Sequence, residues 1–185
     1  EGTRGWLSDL KLRASIGSIG NQNVGNNAFL SILNATNPSW INSGTTLPPS
    51  TGLPTNVDPS LTWEKVYTKD IGIDIRIFDM LGASFDWYQR DTKGMLAPGI
   101  TLPGSFGQSS AQTNSGNMRT RGWELAVNFN KQLSENASVF VDLALSDYKS
   151  VVTKWNNTSK LLATNTYYDG YEIGQIWGLT SDRLL

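Results

Sequence analysis

The sequence predicts an all-β fold of antiparallel, up-and-down strands. Apolar and polar residues alternate with a period of two in five stretches, whereas the periodicity of an amphipathic helix is scarce. Links of a few residues between these stretches alternate with long links rich in Asn, Ser, Thr, Gly and Pro. This combination is typical of outer-membrane β-barrels, although soluble sandwiches and barrels share the alternation of faces.

The five alternating stretches define the predicted strands. In the first, Leu10, Leu12, Ala14 and Ile16 are apolar and the residues between them are polar. The predicted strands are 10–16, 71–78, 83–90, 123–130 and 137–145. The long links 17–61 and 94–118 are of a length that usually carries function.

The link between the second and third predicted strands is short enough to propose a register. Placing Ile77 opposite Phe85 leaves the three-residue loop 80–82, in which Gly82 takes the left-handed conformation. Arg76 then lies opposite Asp86. The neighbouring register would place Asp74 opposite Asp86 and is disfavoured by like charge, so we predict the first.

The composition excludes several classes of function. The chain has neither Cys nor His, so thiolate nucleophiles, the usual base of a serine triad and the commonest zinc ligands are absent. Its 15 basic and 16 acidic residues are interspersed, which gives no electrostatic footprint for nucleic acid. No nucleophile or nucleotide-binding motif and no catalytic pair of carboxylates is evident. We expect no enzyme, and no catalytic, cofactor-binding or metal-binding residues.

Membrane insertion, if it occurs, must use strands. The longest apolar runs are far shorter than the roughly 20 residues of a spanning helix. The opening residues EGTRGWLSDL lack the features of a signal peptide, so we expect either a cytosolic protein or an internal or processed segment.

Four blocks of sequence point to one family. They are LKLRASIGSIGNQNVG at 10–25, DPSLTWEKVYTKDIGIDIRIFDMLGASFDWYQRDTKGML at 58–96, NSGNMRTRGWEL at 114–125 and YEIGQIWGLTSDRLL at 171–185. In this order they resemble the conserved blocks of the SusC/RagA-like TonB-dependent outer-membrane transporters. Asp58, Gly94, Thr120, Glu172 and Arg183 depart from the residues usual in that family without changing the pattern.

The resemblance implies a location and a function. Such a transporter has an N-terminal plug, a segment that engages TonB and a transmembrane barrel of about 22 antiparallel strands with long extracellular loops. We expect residues 1–185 to supply about five or six strands from the C-terminal half of the barrel, with the plug and the final strands outside the chain. The implied function is TonB-dependent import of a nutrient, an oligosaccharide first and a peptide second, across the outer membrane of a Gram-negative cell. The implied partners are a SusD-like surface lipoprotein, the TonB complex and outer-membrane lipid, with no cofactor.

The same resemblance implies that one face of the strands contacts lipid and the other faces the aqueous lumen. The expected lipid-facing residues are Ile71, Ile73, Ile75, Ile77, Phe85, Trp87, Leu125, Val127, Phe129, Val139, Val141, Leu143 and Leu145. The expected lumen-facing residues are Asp74, Arg76, Ser84, Asp86, Tyr88, Asn128 and Asn130. Lys65 and Lys69 share the phase of Ile71, so we expect them in the outer aqueous layer. Trp63 and Trp123 are expected in the interfacial girdle or packed at the base of a loop.

Two sets of residues are assigned to the outer end of the barrel. Residues 114–117 are expected to end a long loop, 118–121 to cross the charged rim, and Gly122 to permit a bend. Aromatic rings stack on sugars or peptide side chains, so substrate contact is assigned to the long links, at Trp40, Trp155, Tyr167 and Tyr168. Packing of these rings against one another or against a partner is the alternative.

Two other functions remain compatible with the pattern. A surface or secreted β-sandwich that binds glycans would enclose the apolar faces in one core, whereas the barrel exposes them over a band of roughly 25 Å. A passive porin would differ from the transporter only by the plug and the coupling segment.

Overall fold

A computed structural model describes residues 5–22, 24, 29–36, 49–157, 167–176 and 178. A five-stranded sheet dominates this part of the chain, with strand order β1-β4-β5-β6-β7 and antiparallel pairing throughout. Its strands are β1 (Leu7–Asn21), β4 (Glu64–Ile77), β5 (Leu81–Pro98), β6 (Gln112–Ser134) and β7 (Ala137–Lys154). The strands β2 (Ala35–Thr36) and β3 (Ser50–Thr51) form a separate small ribbon, and Gly104–Phe106 is a turn of 3₁₀ helix. All five predicted strands and the up-and-down order are therefore confirmed.

The strands are longer than the sequence pattern indicated. β6 has 23 residues and β5 and β7 have 18 each, whereas about 9 to 11 tilted residues cross a bilayer. The surplus lies where the alternation of apolar residues stops, so periodicity could not detect it. The expectation that 114–117 are loop is wrong, because Asn117 pairs with Lys93 and Gly116 with Met95 inside the β5–β6 ladder.

The predicted β4–β5 register is also wrong. Ile77 pairs with Leu81, Arg76 with Gly82 and Gly72 with Asp86, so the chain reverses at 78–80 instead of 80–82. Phe78 and Asp79 take the left-handed conformations, with φ of 51° and 55°. Neither the predicted pairing of Arg76 with Asp86 nor the rejected pairing of Asp74 with Asp86 occurs.

Close packing explains why Gly72 and Gly82 lie within strands. A Cβ on Gly82 would lie 2.5 Å from Oδ1 of Asn128 on the next strand. A Cβ on Gly72 would come still closer to the carboxylate of Asp86. Because each glycine leaves room for a polar side chain of its neighbour, Gly82 is required for close approach and not for the turn.

The two faces of the sheet differ as predicted, and the apolar face is open. Apart from four glycines, the buried residues of the described ranges are Ala97, Val152 and Thr92, so the sheet encloses no core. Ile71, Leu143 and Leu145 are each about 60% exposed. A sandwich would bury such residues, so this arrangement excludes the sandwich reading of the described strands.

β1 and β7 are the two edge strands of the sheet, and most of the free edge of each has no partner strand among the described residues. Only the outer end of β7 is covered, where Val152 and Ser150 exchange backbone hydrogen bonds with Gly170, Tyr171 and Ile173. Unpaired backbone groups cannot be left in hydrocarbon, so the sheet needs neighbouring strands on both sides. No helix in the described ranges is long and apolar enough to span a membrane.

Candidate functional site

The two ends of the sheet differ in the length of their connections. The β4–β5 reversal at 78–80 and the β6–β7 reversal at 135–136 lie at one end. The connections 22–63 and 99–111 and the chain beyond Lys154 leave from the other. In outer-membrane barrels the short turns face the periplasm and the long loops face outward. The second end is therefore the outer end, and the lumen face leads inward from it.

An ionic cluster lies on the lumen face and joins three strands. Arg13 of β1 binds Asp74 of β4 through Nε, at 2.9 Å, and Asp86 of β5 through an Nη, at 2.9 Å. Ser84 Oγ donates to Asp74 Oδ1 at 2.8 Å. A second oxygen of Asp86 is buried without a hydrogen bond in the described part of the protein. The local pattern predicts Arg76 as the partner of Asp86, whereas the observed partner is Arg13, which comes from a strand distant in the chain.

A polar cleft of about 370 Å³ lies beside this cluster. Its lining combines carboxylates, guanidinium groups, a hydroxyl and a phenol from four strands: Arg13, Thr68, Asp70, Asp86, Tyr88, Arg90 and Glu124. Such a wall offers hydrogen-bond donors and acceptors to a hydrated solute, as the lumen of a transmembrane barrel does. Within the described ranges, no group of carboxylates is arranged to hold a metal ion.

An aromatic cluster lies at the outer end of β7. Trp155 meets Tyr167 edge to face, with ring centroids 5.2 Å apart, and Tyr167 lies 5.4 Å from Tyr171. Tyr168 contacts Tyr171 edge to face at 5.4 Å. The structure thus brings together three of the four predicted contact residues and adds Tyr171, which no sequence signal marked. Trp40 lies outside the described residues. Whether these rings touch substrate stays a prediction.

Backbone contacts hold the cluster against the sheet. The carboxylate of Asp169 accepts a hydrogen bond from the Trp155 amide at 2.5 Å, and the Tyr171 carbonyl accepts one from Val152 at 2.8 Å. The Trp155 ring lies against Gly116 of β6, where a Cβ would come within 2.8 Å of it. The indole N–H is buried and has no hydrogen-bond partner among the described residues. By the alternation of β6, Gly116 belongs to the lumen face, so the cluster stands over the mouth of the lumen.

Asn114 fastens a long connection to this end of the sheet. Its Oδ1 accepts from the Thr62 amide at 2.8 Å, and its Nδ2 donates to the carbonyls of Thr62 and Gly94, each at 2.7 Å. A partly apolar cleft of about 310 Å³ lies beside Thr62 and is lined also by Trp63, Phe29 and Leu61. Trp63 therefore packs at the base of the outer connections, against Gly20.

The outward face changes character along the strands. Ile71, Trp87 and Trp123 form one row across β4, β5 and β6, and Trp123 also stacks on Phe85 with centroids 6.4 Å apart. Above this row the same face carries Lys69 and Lys65, as predicted. Below it the face is apolar as far as Lys131, which lies near the short turns. An apolar band bordered by aromatic residues is typical of the lipid-facing surface of a barrel.

Comparison with known proteins agrees with this geometry. The sequence profile of the family described as TonB dependent receptor-like, beta-barrel matches residues 5–182. TonB-dependent receptor P26 of Formosa agariphila is 31% identical over 150 residues, which are 79% of this chain and 14% of that protein. TonB-dependent receptor P39 of the same organism is 29% identical over 126 residues, which are 66% of this chain and 11% of that protein.

Solved structures show the same similarity. The RagAB peptide importer in its open-open state superposes with a TM-score of 0.72 at 26% identity, over 89% of this chain and 18% of that chain. Its closed-closed state gives a TM-score of 0.71 at 26% identity, over 90% and 18%. The chain therefore spans less than a fifth of the length of each of these relatives.

Proposed function

Because the chain belongs to the TonB dependent receptor-like β-barrel family of the outer membrane, we propose that the complete protein imports a nutrient by TonB-dependent active transport. The members of this family are transporters and not enzymes. In this proposal, residues 1–185 supply consecutive strands from the C-terminal half of the barrel wall. The plug and the segment that engages TonB belong to other parts of the protein.

The two-sided sheet is the observation that carries the proposal. One face is apolar and exposed, and the other carries the Arg13 cluster and the polar cleft beside it. A wall of this kind separates lipid from an aqueous path, which a transporter needs and a soluble binding module does not. The long outer connections then lie where a solute enters the barrel.

We propose an oligosaccharide as the first choice of substrate. The aromatic cluster of Trp155, Tyr167, Tyr168 and Tyr171 presents faces and phenol groups at the mouth, and rings of this kind stack on sugars. A peptide is the second choice, supported by the similarity to a peptide importer. A SusD-like surface lipoprotein is the proposed partner that closes over the outer connections.

Uptake by cells tests this function. A strain that lacks the full-length receptor is complemented with the wild type, with Trp155→Ala together with Tyr171→Ala, or with the control Trp6→Ala at the periplasmic end. Uptake of labelled neutral oligosaccharides and of labelled oligopeptides is measured with and without TonB. We expect TonB-dependent uptake of one class, lowered by the double substitution and unchanged by the control. Uptake that persists without TonB would identify a passive channel.

A further inference from the structure

A band of basic side chains lies on the outward face above the aromatic row. We call it the outer basic belt and define it as Lys65, Lys69, Lys93, Arg119, Arg121 and Lys149. The first row above Ile71, Trp87 and Trp123 contains Lys69, Gln89, Arg121 and Lys149. The next contains Tyr67, Asp91, Arg119 and Val151, and the third contains Lys65 and Lys93.

The height of the belt follows from strand geometry. Side chains on one face of a strand repeat every second residue, so successive rows are about 7 Å apart. The first belt row therefore lies about 7 Å beyond the tryptophans along the strands. Tryptophan rings at a barrel surface mark the level of the lipid headgroups. The belt thus stands in the headgroup layer of the outer leaflet and immediately above it.

The positive charge of the belt is only partly neutralised. Arg119 Nε binds Asp91 at 2.6 Å and Lys149 binds Glu172 at 2.5 Å. Lys93 lies over the Tyr67 ring at 5.4 Å from the centroid. Lys65, Lys69 and Arg121 are exposed and form no ion pair with any described carboxylate. Asp147 lies in the row of Trp123, one row below Arg121, and is not within bridging distance of it.

A network of side-chain hydrogen bonds orients part of this charge. Arg121 donates through Nε to Gln89 Oε1 at 2.8 Å, and Gln89 donates to Asp91 at 2.7 Å. Asp91 in turn accepts from Arg119. Because Nε of Arg121 is engaged, its two terminal nitrogens are the donors left for a ligand. Lys69 lies two strands away in the same row, about 10 Å from Arg121 between strand axes, a gap that both long side chains can reach across.

We propose that the outer basic belt binds the phosphate groups of anionic lipids in the outer leaflet, with Lys69 and Arg121 as its principal contacts. The occupant follows from the position of the belt: this surface adjoins the apolar band, so headgroups of the surrounding lipid cover it first. The guanidinium group of Arg and the ammonium group of Lys both bind phosphate in proteins. Each basic side chain near an anionic membrane surface strengthens binding roughly fivefold.

The test uses the purified full-length receptor in a detergent with uncharged headgroups. Phosphorylated lipid A is added, and native mass spectrometry measures the lipid that stays bound. The variant carries Lys69→Gln and Arg121→Gln. We expect its affinity for phosphorylated lipid A to fall by roughly twenty-fold or more. Dephosphorylated lipid A is expected to bind the wild type and the variant equally weakly.

Two matched controls separate position from total charge. Arg90→Gln removes an exposed cation from the lumen face of β5, and Lys131→Gln removes one from the outward face near the short turns. Both are expected to keep wild-type binding. The charge-conserving variant Lys69→Arg with Arg121→Lys is also expected to keep wild-type binding. Heat-modifiable migration on gels confirms that the barrel of each variant is folded.

Three results would overturn the proposal. The first is unchanged binding of phosphorylated lipid A by the folded Gln variant. The second is an equal loss in the Arg90→Gln control. The third is displacement of the lipid by inorganic phosphate at millimolar concentration, which would make the belt a site for free phosphate and not for headgroups.

Discussion

The lumen face and the outward face of this sheet are built from alternate residues of the same strands, and they treat charge in opposite ways. Halfway down the strands, the lumen face gathers Arg13, Asp74 and Asp86 into one cluster. At the same height the outward face is apolar on β4, β5 and β6, and most of its charges lie above the tryptophan row. The exceptions are Asp147 of β7, which lies in that row, and Lys131 of β6, which lies near the short turns. The position along the strand therefore determines where most charged side chains occur on the outward face. The lumen face carries charged side chains at mid-height as well.

The largest expected effect comes from placing charge on the outward face at mid-height. Leu143→Arg puts a guanidinium into the apolar band, and we expect a loss of about 2 to 4 kcal/mol in the free energy of unfolding. Its neighbour Ala144→Arg points into the lumen and is the matched control, with a much smaller loss. Urea unfolding of the full-length receptor in lipid vesicles measures both. Equal losses would contradict the assignment of the two faces.

A smaller effect is expected from the lumen cluster. Arg13→Met leaves Asp74 and Asp86 facing each other without their shared cation, so β1 should pair less firmly with β4. Adding Asp74→Asn and Asp86→Asn to Arg13→Met should recover stability, because the repelling charges are then gone. The triple variant and the single variant are compared by urea unfolding. A triple variant less stable than the single one would show that the carboxylates do not repel each other there.

The support of the aromatic cluster can be tested at Gly116. Gly116→Val places methyl groups where the Trp155 ring lies, and overpacking of this kind costs about 1 to 3 kcal/mol. We expect faster hydrogen exchange at 167–176, because the ring that anchors that segment is displaced. Gly104→Val is the control, since nothing lies within 4 Å of a Cβ there. Unchanged exchange in Gly116→Val would show that Trp155 does not anchor the segment.

The smallest effect concerns a turn in the outer connection. Hydrogen bonds from the Ser60 hydroxyl, at 2.6 Å, and from its amide, at 2.8 Å, lower the pKa of Asp58. A carboxyl with a lowered pKa stabilises the folded form above its ordinary pKa and loses that contribution as the pH falls through the lowered value. We expect exchange of the Leu61 amide, which bonds to the Asp58 carbonyl, to accelerate in acid.

Ser60→Ala sharpens this test. It removes the hydroxyl bond, so the pKa of Asp58 should rise toward its ordinary value and the acid effect should begin at higher pH. Exchange rates are compared after correction for the intrinsic dependence of exchange on pH. An onset at the same pH in both proteins would show that the hydroxyl does not lower the pKa.

Sequence alone predicted what depends on local alternation. The strands and their two faces follow from side chains two residues apart, so the pattern was sufficient. In the observed β4–β5 register, Arg13 of β1 binds both Asp74 and Asp86, and Gly82 leaves room for Asn128 of β6. Arg13 and Asn128 come from other strands, and no local pattern reveals them. Like charge argued against placing Asp74 near Asp86, yet Arg13 holds both. The hairpin also turns through Phe78 and Asp79 in left-handed conformations, which Asp adopts more readily than most residues but Phe adopts rarely.

The aromatic cluster also combines residues that the sequence predicted with one that it did not. Trp155, Tyr167 and Tyr168 were marked by residue type and by their place in an outer connection. Tyr171 contacts two of the predicted residues only because backbone hydrogen bonds bring 170–173 alongside β7. Asn114 was expected in a flexible loop end, whereas its side chain ties Thr62 to Gly94. Long-range contacts of this kind become visible only in three dimensions.

The order of the strands also has a consequence for how the sheet assembles. β4, β5, β6 and β7 follow one another through short reversals or a connection of moderate length, whereas β1 reaches β4 only across residues 22–63. Closing that loop costs about 2 kcal/mol more chain entropy than closing a three-residue turn. Pairing should therefore spread from the hairpins, with β1 joining late. The Arg13 cluster includes a residue of β1, so it forms only when β1 has paired with β4. Because Arg13 reaches Asp74 and Asp86 only in the native register, the cluster stabilises that register over shifted ones.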